Sequence, residues 1–367
     1  MNFNRLKKKA MDINYLLYFL IGVVILLLVY YIYIQINKKR TNNKDMKADL
    51  EIVPMNIRSI NASSSGFKYK LRDYYIASSY NSCCGGAFKN DYVDYIPLKQ
   101  VIKKGARLLD FEIYSINGKP VIAASTKDSV HIKETYNSLP FERVMDLVKR
   151  YAFSSGTCPN ANDPLFLHFR VMTNHLDIYK DMASIIKKNF SSKLLGSEYQ
   201  YESHGENIGA NPIKDFIGKV VIICDNQNDN FRKVKNFEKL VNITSNSLFL
   251  RKLRNYDVIY NHDTSELKEY NKKNMSIVIP DITNQGENMS AALDFRYGCQ
   301  FVCMNYQTLD ANLTYYLDLF NSAGHSFILK PEQLRYIPLT ISKPKIQNPA
   351  NSYAPRTIEK PYFKAQI

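Results

Sequence analysis

The sequence has no tryptophan, only six cysteines and only 14 glycines among its 367 residues. So few cysteines cannot staple a disulfide scaffold of this length. Cys83, Cys84, Cys158, Cys224, Cys299 and Cys303 show no metal-ligand spacing either, and we expect them to be unpaired thiols. No glycine-rich phosphate loop follows a strand-like run, which disfavours a doubly wound nucleotide-binding sheet. Zinc-finger, RNP and helix-turn-helix signatures are absent, so no nucleic-acid partner is expected despite a formal net charge of +15. Much of that charge is local: residues 1–50 carry +6 and residues 341–367 carry +4. Hydrophobic residues make up 45% and charged residues 23%, which excludes a disordered or fibrous chain. Tyr, Asn, Lys and Ile are frequent, a bias we read as AT-rich coding.

One long apolar run stands out. From Tyr15 to Ile34 the chain reads YLLYFLIGVVILLLVYYIYI, without a charge. A helix of this length rises about 30 Å, the thickness of a bilayer's hydrocarbon. Tyrosines cluster at both ends, where amphipathic rings favour the interface. No small-residue cleavage site follows, so a single-pass anchor is expected rather than a signal peptide. Arg5, Lys7, Lys8 and Lys9 precede the run, and Lys38, Lys39, Arg40, Lys44 and Lys47 follow it. This balance leaves orientation undetermined. Contact with membrane lipid is expected through the helix and these flanking cations.

The rest divides into five expected parts: a basic segment 1–14, a transmembrane helix 15–36, a polar linker 37–65, a barrel 66–340 and a Pro-rich basic tail 341–367. Strand-like runs are expected at 74–78, 107–114, 120–124, 165–171, 219–224, 276–280, 299–306 and 326–330, as short, β-branched or aromatic stretches. Helical stretches at 141–152, 179–189 and 313–322 lie between some of them. About eight strands alternating with helices over about 275 residues predict an irregular (β/α)8 TIM barrel.

Two stretches carry a family resemblance. IASSYNS, RLLDFEIYSINGKPVIAAS, FERVMDLVKRYAF and PLFLHFRV occur in order between Ile76 and Val171. They resemble the X half of the phosphatidylinositol-specific phospholipase C barrel, here over residues 70–195. YGCQFVCMNYQTLDANLTYYLDLFNSAGHSFILKPEQLR, from Tyr297 to Arg335, is similar to the Y half, here over residues 212–340. The polar stretch near 196–211 would be the shortened linker between halves. The resemblance implies a PLC-like phosphodiesterase barrel.

It also implies a site. Members cleave a phosphodiester with two histidines, and in the eukaryotic enzymes a calcium ion is held by Asn, Glu, Asp and Glu. Here the first histidine position is Tyr80. The second falls at 123–126, ending in Thr126, without an imidazole. The metal-ligand positions map to Asn81, Asp110, Glu112 and Arg170. The first three remain possible oxygen ligands, but a guanidinium accepts no lone-pair bond, so calcium is expected to be lost and no cofactor to be present. The positions that would grip and stack on an inositol phosphate read Ile277 and Ile279. A lysine pair is replaced near Ile223 and Asp225. His131 lies in an insertion and is a candidate for rescue. His168, two residues before Arg170, is expected deeper in the barrel. An imidazole within about 4 Å of Asn81, Asp110 or Arg170 would restore a candidate base.

Three functions follow as expectations. The first is a membrane-anchored pseudoenzyme whose barrel mouth binds anionic lipid or a protein partner. The second is an active, metal-independent phosphodiesterase with a rearranged site. The third is a structural membrane protein, as in a viral particle or an internal host membrane.

Overall fold

The computed structural model describes residues 3–200, 207–282, 286–338 and 353–367, with side chains from residue 15 onward. Short apolar runs form the strands β1 (Tyr74–Ser79), β2 (Leu108–Ile116), β3 (Lys119–Ala123), β4 (Leu139–Pro140), β5 (Leu165–Val171), β6 (Val220–Asp225), β7 (Ile243–Ser245), β8 (Leu250–Arg254), β9 (Met275–Ile279), β10 (Phe301–Met304) and β11 (Phe327–Leu329). Eight of them pair in the order β7-β6-β5-β2-β1-β10-β9-β8, every neighbour parallel. This is a nearly closed (β/α)8 barrel, open only at the seam between β7 and β8. Strands such as β1, β5, β6 and β9 are buried along their whole length, as a parallel sheet covered on both faces requires.

Two expected barrel strands lie elsewhere. Of residues 120–124, all but the last fall in β3, antiparallel to β2, and residues 326–330 contain β11, antiparallel to β1. Their places in the ring are taken by β7 and β8, which hydropathy hides. β7 is three residues long, and β8 reads LRKLR. Alternation explains β8: Lys252 and Arg254 point to one side, and Arg251 points to the other, over the Tyr270 ring at 3.7 Å.

Among the long helices, α1 (Phe3–Ile52) is followed by α2 (Tyr95–Lys103), α3 (Phe141–Ala152) and α4 (Leu176–Phe190). α3 buries Phe141, Val144, Met145, Val148 and Ala152, an i, i+3, i+4 stripe facing the sheet. α1 corrects the expected boundaries. It is one helix through both the apolar run and the first part of the expected linker 37–65. Asn43, Met46, Leu50 and Val53 are buried at helical spacing, so this face docks on the barrel. Polar residues between them masked the stripe. Over Tyr15–Ile52 the helix is long and apolar enough to cross a membrane, and its apolar window is wholly unburied.

The docking runs the height of the barrel. Near the mouth, the loop after β1 meets α1: Lys38 Nζ donates to Asn90 O at 2.8 Å, and Asn43 Nδ2 donates to Asp94 Oδ2 at 2.6 Å. At the base, Lys104 Nζ donates to the Val53 carbonyl at 2.7 Å just before β2. Buried Asp91 is the central acceptor, taking bonds from Asn42 Nδ2 at 3.0 Å and from the Ala87 and Tyr92 amides at 3.0 and 2.8 Å, with Lys38 Nζ at 3.3 Å. Asp91→Ala strands these donors and is expected to cost about 1–3 kcal/mol. Limited proteolysis within 37–65 should accelerate. An unchanged cleavage rate would place the clamp elsewhere.

A second buried carboxylate has a pH signature. Neither carboxylate oxygen of Asp294 has a hydrogen-bond partner among the described residues. Burial, with a contribution from Asp281, pushes its carboxyl up from 3.8 to about 8. The folded state therefore holds a proton that the unfolded state has lost, and this group's contribution to stability falls as pH rises from about 4 to about 8. Asp294→Asn is expected to flatten that slope in thermal melts of the purified chain. A slope that persists unchanged would assign it to other groups.

The remaining unit, residues 336–367, is described by itself. The prolines of the tail favour an extended or disordered chain. Within it β12 (Thr357–Lys360) and β13 (Phe363–Gln366) form an antiparallel hairpin. Pro344 and Pro349 of that tail lie outside the described residues.

Candidate active site

Side chains two apart on a strand share a face. On β2 this aims Asp110 and Glu112 inward, and on β5 it does the same for His168 and Arg170. The ladder sets Asp110 beside His168 and Glu112 beside Arg170. Asn81 follows β1 with φ of 39°, in the left-handed region that Asn tolerates better than most residues. That turn sends its amide into the same cluster.

The five polar or aromatic positions expected around the first histidine and the metal do converge. Arg170 makes four side-chain hydrogen bonds: Nε to Asp110 Oδ1 at 3.0 Å, Nη2 to Asp110 Oδ2 at 2.7 Å, Nη1 to Glu112 Oε1 at 2.7 Å and Nη2 to Asn81 Oδ1 at 3.0 Å. The Tyr80 ring covers the guanidinium at 4.6 Å, and Phe88 packs edge-on against Tyr80. Tyr114 donates to the second Glu112 oxygen at 2.7 Å. The whole cluster is buried. A buried charge persists only when paired and hydrogen-bonded, which this fork geometry supplies.

The two carboxylates shift in opposite directions. Burial alone would raise Asp110, but Arg170 and His168 reverse it and hold the carboxyl well below its usual range. Burial raises Glu112, and its single bond from Arg170 does not cancel that. Burial would lower Arg170, yet Asp110, Tyr80 and Glu112 drive it higher still, so it stays charged. Burial also pushes the Tyr80 hydroxyl upward, further from use as a base at neutral pH. The Cys83 and Cys84 thiols are raised by burial too, which disfavours a reactive thiolate at the mouth.

His168 meets the distance that a candidate base requires. Its Nδ1 lies 2.8 Å from Asp110 Oδ1, and its Nε2 lies 2.9 Å from Ser245 Oγ. Ser245 Oγ in turn donates to Asp225 Oδ1 at 3.0 Å, so the ring is linked to two carboxylates, to Asp110 directly and to Asp225 through Ser245. The ring is fully buried, as expected for a residue deeper than Arg170. His131 does not border the cleft above Arg170. Its amide bonds to Met172 O, and its ring sits 5.7 Å from that of His175. Thr126 does line the mouth, held by Glu134. Ile277 and Ile279 are buried in β9, apolar where a head-group clamp would need charge.

Above Arg170 is a cleft bordered by Tyr80, Thr126, Lys127, Asp128, Arg254 and Ile282, with about 10 Å³ of free space. That volume admits about one water. The sequence reading missed two of the site's cations. Lys252 pairs with Asp225 at 2.6 Å and Arg254 with Asp128 at 2.6 Å, both from the unrecognised β8. Their i, i+2 spacing was the available signal.

Calcium does not fit this arrangement. Asn81, Asp110 and Glu112 are oxygen donors, but their lone pairs facing the centre are taken by the guanidinium. Two carboxylates and one guanidinium leave about −1 of charge, too little for an ion that wants six to eight oxygens.

Comparisons with known proteins support the barrel fold. The crystal structures of PLC21 from S. officinalis and of PLC21 from L. pealei each match at a TM-score of 0.61 and 20% identity, over 74% of this chain. The chain spans 38% of the length of each of those proteins, so the likeness shows the shared barrel. The family model described as phosphatidylinositol-specific phospholipase C, X domain, matches residues 67–224, and that of the Y domain matches residues 219–333. Together the two halves take in the barrel from before β1 to beyond β11, and the chain belongs to the phosphatidylinositol-specific phospholipase C family.

Proposed function

We propose that the chain is a membrane-anchored phospholipase C-like protein whose barrel is catalytically silent and serves as a scaffold for anionic lipid or a protein. The observation that carries this reading is Arg170, bonded to all three remaining oxygen-ligand residues where the eukaryotic enzymes of the family hold calcium, with neither histidine position kept. No imidazole among the described residues lines the cleft.

The anchor reading is supported by the exposed apolar run of α1 and by where that helix docks. α1 meets the barrel first at the mouth loops, so a bilayer around residues 15–34 would lie on the mouth side. Ile132, Tyr136, Leu176, Tyr256, Ile259 and Ile282, all in segments following strand ends at that side, are exposed. Such a rim suits an interface with lipid or protein.

A second reading, a metal-independent phosphodiesterase, is favoured by the cations Lys127, Arg170 and Arg254 around the cleft and by the His168–Asp110 pair. Release of inositol phosphate from phosphatidylinositol by the purified chain, with and without calcium, separates the two. The scaffold reading expects none. Turnover lost in His168→Gln would favour the second.

A further inference from the structure

Beside α1, away from the barrel mouth's central cleft, lies an open hollow of about 510 Å³ between that helix and the start of α2. Its walls include Ile36, Lys39, Arg40, Lys44, Lys47 and Ile96. Asn43 and Asp94 complete it, and Asp94 is already engaged by Asn43 and by Lys39 at 3.2 Å. Arg40 and Lys44 are exposed, without an ion-pair partner among the described residues. Four cations against one carboxylate leave the hollow with a surplus of positive charge, beside two exposed isoleucines.

We propose that this hollow is a binding site for one anionic phospholipid of the bilayer that α1 crosses, a step that rests on the anchor reading above. Positions 36, 40, 44 and 47 share one helix face. Ile36 lies just past the apolar run, level with the glycerol end of an acyl chain. Arg40 lies about 9 Å and Lys44 about 15 Å beyond Ile34 along the axis. Side chains on a helix lean toward its N-terminus, which here is the membrane side, and long cations extend further to reach the headgroup layer. The phosphate meets Arg40 and Lys44, and the upper acyl chain lies on Ile36 and Ile96. A soluble anion would use only half of this wall, so the occupant is a lipid.

The test uses the full chain in detergent, with bound lipid counted by native mass spectrometry against added phosphatidylserine or phosphatidylcholine. Phosphatidylserine should be retained at least tenfold more strongly. Arg40→Gln/Lys44→Gln should lose that retention by about thirtyfold, the effect of two charges near an anionic surface. Lys187→Gln/Lys188→Gln, at the far end of α4, should retain it. Equal retention of the two lipids, or an equal loss in the α4 variant, overturns the site while leaving the anchor reading intact. Release of the chain from membranes by alkaline extraction would instead overturn the anchor reading and this site with it. Neither result bears on turnover at the mouth.

Discussion

Arg170→Met is expected to destabilise the barrel by about 3–5 kcal/mol, a large part of the stability of an ordinary domain. The variant keeps most of the side-chain volume but strands Asp110 and Glu112 without a cation, both fully buried. It also removes the partner beneath the Tyr80 ring. The pH dependence gives a signature that a packing defect would lack. Arg170 holds the folded-state pKa of Asp110 below its unfolded value, after overcoming burial. The stability this provides is full above about pH 4 and fades as pH falls through the depressed value. The gap between wild type and variant should therefore be widest near neutrality and shrink in acid. Arg170→Met combined with Asp110→Asn and Glu112→Gln should recover much of the loss, because the polar shell is then neutral. Chemical denaturation at pH 7 and at about pH 2.5, inside the window where this stabilisation fades, measures all of this. A loss below 1 kcal/mol, equal at both pH values, would mean that the cluster does not carry the core.

The second large effect is on rate. Purified chain is expected to release inositol phosphate at least about 10⁴-fold more slowly than a family member with both imidazoles, since each general acid or base is worth about 10²–10⁴. Loss of the phosphate-clamping charge at Ile277 adds to that. Calcium should change nothing, because its oxygen ligands are committed to Arg170. Turnover in the family's ordinary range would overturn the silent-barrel reading, and stimulation by calcium would show that the guanidinium yields its place.

Much of this was legible because burial on both faces leaves a strong mark. β1, β2, β5, β6, β9 and β10 read as apolar runs, and α3 was bounded to the residue by its stripe. The site was legible through spacing: Asp110 with Glu112, and His168 with Arg170, are inward pairs on neighbouring strands. What failed had weak or contrary local signals. β8 lines the interior with Lys252 and Arg254, so its hydropathy is that of a loop. The expected count of eight strands was met with two wrong members, because β3 and β11 are as apolar as true barrel strands and only pairing direction tells them apart. Residues 43–53 dock through four buried positions among Lys, Asp and Asn, a narrow stripe in a charged stretch. His168's bond to Ser245 depends on β7, which no sequence pattern announced.

In the proposed anchored arrangement, the unbroken course of α1 couples the barrel to bilayer thickness. There is no hinge between the apolar run and the segment clamped by Asp91. In a thinner bilayer a span of about 30 Å tilts to keep its apolar length covered. The barrel would tilt with it as a rigid load, bringing one edge of its rim toward the headgroups and lifting the opposite edge. Membrane composition would then set which loops touch the surface, without any change inside the protein.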